Sequence, residues 1–247
     1  MEVLSPLQPR AVFHYFEELC AIPHGSGNTR AVSAWCAAFA KARGLEYHQD
    51  ALNNIIIIKE AAPGYEGAEP VILQGHLDMV CEKEPGCPKD LEREGLDLEV
   101  DGDFVTARGT TLGGDDGIAV AMALALLDAQ DIPHPRLEVV LTVDEEVGML
   151  GAAALDASPL RGRTLINLDS EEEGVFTVSC AGGNRTECVL PVKRESFAGT
   201  RMTISMGGLT GGHSGTEIHR GRANANVLLG RCLRAVSART ELRLGEA

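Results

Sequence analysis

The sequence predicts a doubly wound α/β domain, a mostly parallel sheet with helices on both faces, followed by a smaller, incomplete α+β unit. Three observations lead there. Short aliphatic runs alternate with helical stretches over most of the chain, the order expected of βα units. Two of those runs, IIII at 55–58 and VVL at 139–141, are unbroken rather than alternating, as in strands covered on both faces. The composition is 44% hydrophobic but only 4% aromatic, drawn largely from Ala, Val, Leu and Ile, which fits the same class.

Taken in order, residues 9–22 and 29–43 carry amphipathic spacing and predict two helices, with the Gly/Ser/Asn turn His24–Asn28 between them. NNIIIIK (53–59) predicts a buried strand, and a second follows the loop PGYEGAEP at 70–74. Segment 81–102 is polar and turn-rich and is expected on the surface; DFVTAR (103–108) is a short strand. GGDDG leads into an apolar helix at 118–128. RLEVVLTV (136–143) is a strand, then come a helix near 148–156 and two strands, TLINLD (164–169) and VFTVSC (175–180). Past the AGGN turn at 181–184, the alternating segments TECVLPV and TRMTISMG predict two strands, followed by a Gly-rich loop and a helix over about 223–239. The boundary is placed at the turn, giving units 1–184 and 185–247. The second is short for an independent core.

The formal charge of −14, from 22 Lys and Arg against 36 Asp and Glu, argues against nucleic acid or an anionic membrane as partner. Seven cysteines (Cys20, Cys36, Cys81, Cys87, Cys180, Cys188 and Cys232) are odd in number and include no CxxC pair. Free thiols in a reducing cytoplasm fit them better than a disulfide framework. The N-terminus lacks a basic segment leading into an apolar signal core, and the apolar stretch Ala119–Leu127 is too short to span a bilayer. A soluble, cytoplasmic protein is expected.

Histidine and acids recur where strands are expected to end: His76 and Asp78, Asp115 and Asp116, Glu145 and Glu146, then Asp169. Alone, each has a plain alternative. His76 and Asp78, two apart on one strand face, suit a hydrogen-bonded turn. GGDDG reads as a calcium-type turn or a simple loop, DEE as a solvated helix start, and Asp169 as a strand-end cap. Together they favour a metal, because strand carboxyl ends in an open α/β sheet line one crevice. Grouped acids repel unless a cation compensates them. A His/Asp/Glu set without Cys suits zinc, or manganese or cobalt, over a structural Cys-rich site.

On GHLDMV, TLGGDDGIA, DEEVGMLGA, NLDSEEEG and GGHSGTEIHRGRANA, the chain resembles the aminoacyl-histidine dipeptidases (Xaa-His dipeptidase, peptidase D, cytosol nonspecific dipeptidase) of the zinc carboxypeptidase-G2-like metallopeptidases. The resemblance implies a zinc-peptidase-like catalytic domain holding two Zn2+, with Mn2+ or Co2+ as substitutes, and an inserted lid that often forms a homodimer. By motif, His76 and Asp169 would hold one metal, Glu146 the other, and Asp115 would bridge them. Asp78 would orient His76, Glu145 would be the general base, and the role of Asp116 is left open. His213 would stabilise the oxyanion and contact substrate, and Arg222 and Asn224 would hold the substrate carboxylate or the loop itself. His219 is assigned a structural role, and His14, His24, His48 and His134 lack a motif.

The family's return from lid to catalytic domain supplies a last histidine ligand, which none of these 247 residues matches. The resemblance is to the family's N-terminal half, and a truncated chain is expected. The expected activity is hydrolysis of dipeptides, Xaa-His and broader. Two alternatives stand beside it: an N-acyl amino acid deacylase of the same superfamily, and a catalytically inactive metal-binding module.

Overall fold

The computed structural model describes residues 3–170, 173–180, 182, 186–212 and 217–245. Its contacts divide the chain into Met1–Thr177 and Val178–Ala247, a division that falls inside VFTVSC rather than at the AGGN turn.

The first unit is built on a five-stranded sheet. Its strands are β1 (Glu46–Gln49), β2 (Ile55–Lys59), β3 (Val71–His76), β6 (Leu137–Thr142) and β7 (Thr164–Asn167), in the order β1-β2-β6-β3-β7. β3 pairs in parallel with β6 and with β7, whereas β2 pairs antiparallel with β1 and β6. Four strands therefore run one way and β2 runs against them. A separate hairpin, β4 (Leu98–Asp101) and β5 (Phe104–Ala107), turns at Gly102.

The aliphatic runs explain the layering, because successive residues of a strand face opposite ways. Ile55, Ile57, Leu73, Val139 and Leu141 join the larger core with residues of α1 (Arg10–Cys20), α2 (Arg30–Ala42) and α3 (Gly114–Asp128). Ile56, Ile58, Ile72 and Val140 face the other way, against Leu155 and Leu160. Leu155 ends α4 (Leu150–Ala154). The three long helices thus share one face, and the opposite face has a thinner cover of α4 and the loop after it.

The buried Glu138 of β6 holds that loop. Its carboxylate accepts from Arg136 Nε at 2.8 Å, from Arg161 N at 2.9 Å and from Gly162 N at 2.9 Å. Arg136 also engages Glu60. Burial alone would raise the Glu138 carboxyl, but these donors hold it below its ordinary 4.5. Glu138→Ala strands Arg136 and two backbone N–H groups, so a loss of roughly 3–5 kcal/mol is expected, measured as a lower urea midpoint. Because the folded-state value is depressed, this stabilisation is fully present above pH 4.5 and is lost as pH falls through the lowered value. The difference between parent and variant should therefore shrink in acid.

The Val178–Ala247 unit contains a 3₁₀ turn at Ile218–Arg220 and α5 (Ala225–Ser237), whose N-cap Asn224 accepts from Val227 N. The strands expected at 175–180, 186–192 and 200–207 do not form among the described residues. Alternation specifies a strand only when a neighbour takes its backbone groups and a core takes its apolar face. Phe176, Val178, Val189 and Met202 are each more than 80% exposed, so that condition is unmet. Sequence reading also passed over β1 and β4. EYHQ in β1 is wholly exposed and carries no burial alternation, and β4 lies within the polar segment read as surface loop.

No helix among the described residues is long and apolar enough to cross a membrane.

Candidate metal centre

Three parallel strands end together. β3 closes on His76, with Asp78 two residues on; β6 leads into Glu145 and Glu146; β7 leads into Asp169. β6 and β7 flank β3 on opposite sides, which makes this end of the sheet the switch point where α/β folds bind ligands. Asp115 and Asp116 open α3, where Asp115 keeps an extended backbone (φ −83°, ψ 109°) and the peptide between them is cis.

His76 is buried, with 1% of its side chain exposed. Its Nδ1 lies 2.9 Å from the Asp78 carbonyl oxygen and 3.4 Å from Asp78 Oδ1. Its Nε2 lies 3.0 Å from Asp115 Oδ1 and 4.0 Å from Asp169 Oδ2. Asp78 Oδ1 accepts from Glu145 N at 3.0 Å, while Oδ2 accepts from Ser26 Oγ at 2.8 Å and from Glu146 N at 3.4 Å. Asp116 Oδ2 accepts the His76 N–H at 3.0 Å. Residue 75 must be glycine for that approach, since a Cβ there would lie 2.6 Å from the same oxygen.

Ligand atoms gather in three sets, each within 4.8 Å: His76 with Asp115 and Glu146, His76 with Glu145 and Asp169, and Asp115 with Asp116 and Asp169. The electrostatics are those of crowded acids. Burial, then neighbouring carboxylates, pushes Asp116 up to about 7 against the pull of His76. Burial likewise raises Glu145 and Glu146, with Asp169 and Asp115 respectively adding to it. Burial opposes a charged His76, yet Asp78, Asp116 and Asp115 lift it to about 10. Burial would raise Asp78 too, but bonds from His76, Ser26 and the Glu145 N–H hold it low. A divalent cation fits this set, because it would take the carboxylates' charge while a neutral His76 offers Nε2.

Beside the cluster a cleft of 730 Å³ opens, lined in part by Ser26, Met79, Leu91, Arg93, Glu146 and Val147.

All the residues proposed from sequence for the strand ends meet here. Of those assigned to the second unit, Arg222 donates to both Glu217 carboxylate oxygens and to the Gly211 carbonyl oxygen, and Asn224 caps α5. His213 lies outside the described residues. One participant was placed without a role and one was missed. Asp116 had no assigned role, although it doubles the acid of GGDDG. Ser26 sits in a turn read only as a connector, and nothing in sequence spacing joins it to Asp78.

Residues 72–185 match peptidase family M20/M25/M40. Over 99% of its length, the chain is 42% identical to the cytosol non-specific dipeptidase of Escherichia coli (strain K12). Over residues 72–185 the chain resembles this peptidase family. Among solved structures, the chain aligns with the aminoacylhistidine dipeptidase of Vibrio alginolyticus at a TM-score of 0.69 and 36% identity, over 93% of this chain. A tripeptidase from Staphylococcus aureus shares the fold at a TM-score of 0.55 and 23% identity, over 66% of this chain and 44% of its own. The chain spans about half the length of its dipeptidase relatives, 51% of the Escherichia coli protein and 47% of the Vibrio chain.

Proposed function

We propose that this chain carries the catalytic centre of a metal-dependent dipeptidase. The observation that carries the proposal is the convergence of His76, Asp115, Glu145, Glu146 and Asp169, from three strand ends and the start of α3, in overlapping sets whose donor atoms lie within 4.8 Å. The two dipeptidase relatives supply the substrate class. His76 and Asp169 would hold one zinc, Glu146 a second, and Asp115 would be shared between them; manganese or cobalt would suit the same donors. Such ions supply Lewis acidity and lower the pKa of the water they hold. Asp78 keeps the His76 ring oriented through Nδ1. The Glu145 carboxylate takes the proton of the attacking water and gives it to the leaving amine nitrogen. His213 is assigned to the oxyanion of the reacting carbonyl. Arg222 and Asn224 are assigned to the substrate carboxylate or to holding the loop itself, the latter supported by their bonds to Gly211, Glu217 and Val227. Residues 1–184 form the catalytic part, and 185–247 part of a lid that joins two copies in a cytoplasmic protein.

The test compares Xaa-His and other dipeptides with N-acetyl amino acids as substrates, before and after treatment with a chelator. Dipeptide hydrolysis that a chelator removes and Zn2+, Mn2+ or Co2+ restores is the expected result. Cleavage confined to N-acetyl amino acids would make the protein a deacylase. Cleavage that survives chelation would remove the metal from the reaction.

A further inference from the structure

The turn between α1 and α2 is tied to the metal centre at several points. Ser26 Oγ donates to Asp78 Oδ2 at 2.8 Å, and Gly27 N donates to Asp144 Oδ1 at 2.7 Å. Ser26 N reaches the Met79 carbonyl oxygen at 3.3 Å, and Met79 N reaches that of His24 at 3.2 Å. A side chain at residue 25 would collide with Cys81, its Cβ only 2.6 Å from Sγ, so the turn lies hard against the segment that follows His76.

Asp78 is where these ties converge. Its side chain is wholly buried, and it contacts His76 Nδ1 and the backbone of both Glu145 and Glu146. Those donors belong to the residues being positioned. The Ser26 hydroxyl comes from a different part of the chain and anchors the carboxylate from outside that set. A buried carboxylate that loses a donor must rotate, take up water or remain under-bonded, and each response loosens what Asp78 holds.

We propose that Ser26 is a positioning residue of the metal centre. Its hydroxyl fixes the Asp78 carboxylate and, through it, the His76 ring and the Glu145–Glu146 backbone. The inference rests on the metal-centre reading above.

The experiment measures Zn2+ affinity of the whole protein by competition with a chromogenic chelator, for the parent, Ser26→Ala and Ser26→Thr. Thermal unfolding of the metal-free forms is followed in parallel. Ser26→Ala should bind Zn2+ about tenfold more weakly, the low end of the loss when a ligand's hydrogen-bond partner is removed. Ser26→Thr, which keeps the hydroxyl, should return close to the parent, and metal-free unfolding should move little in either. If Ser26→Ala fails to fold, Ser26→Cys, near-isosteric and only a weak donor, carries the same comparison. Parent affinity in the variant lacking the hydroxyl overturns the inference and leaves the metal centre standing. Equal losses in the Ala and Thr variants overturn it as well, because shape and not the hydroxyl would then matter. A parent that takes up no Zn2+ overturns both readings together.

Discussion

Glu145→Gln should abolish dipeptide turnover while metal content stays near that of the parent. The substitution keeps side-chain length and the backbone N–H that donates to Asp78, so the loop holding Glu146 has no reason to move. It removes the one property that proton transfer needs, a carboxylate that accepts a proton and releases it. Loss of a positioned general base typically costs roughly 10²–10⁴-fold in rate. The geometry leaves a real competitor, since Glu145 also lies within 4.8 Å of His76 and Asp169 as a possible ligand. Activity and zinc content, measured on the same preparation, separate the two roles. Zinc falling in step with activity would make Glu145 a ligand and leave Glu146 as the candidate base.

The sheet and its site were unevenly legible in the sequence. IIII and VVL announced themselves because their neighbours on both faces are apolar. His76, Glu145, Glu146 and Asp169 could be placed together before any coordinates, because strand ends in an α/β sheet share one side. Residues whose role is set by contact stayed hidden. Ser26 lies 52 positions from the carboxylate it bonds, and Asp116 reaches the backbone of a residue 40 positions away. Glu138 in the middle of a buried strand has the same character, because its partners Arg161 and Gly162 lie beyond the next helix. The segments at 186–192 and 200–207 erred in the opposite direction. Their alternation is genuine, but periodicity records what a strand would bury and says nothing about whether a partner is there to pair with it.

Asp115 offers the sharpest test of how the acids divide among ions. It belongs to a set with Glu146 and to another with Asp169, and its Oδ1 is 3.0 Å from His76 Nε2. An acid shared in this way is the natural bridge. With Asp115, His76 and Asp169 would give one ion three protein ligands, enough for a catalytic-type zinc site. On the other side Asp115 and Glu146 would give two carboxylates, a weaker hold. About one tightly bound zinc per chain is therefore expected after dialysis, with a second taken up only at higher zinc concentration. Asp115→Ala should lose the tight ion and the weak one together, by more than the roughly 10–100-fold that follows loss of a mere hydrogen-bond partner to a ligand. Asp169→Ala should weaken the tight ion, whereas Glu146→Ala should spare it and abolish the second uptake. Metal analysis of the three variants across a zinc titration decides the matter. Loss of the tight ion in Glu146→Ala with its retention in Asp169→Ala would reassign that ion to His76, Asp115 and Glu146, the trio whose donor atoms already lie within 4.8 Å of one another.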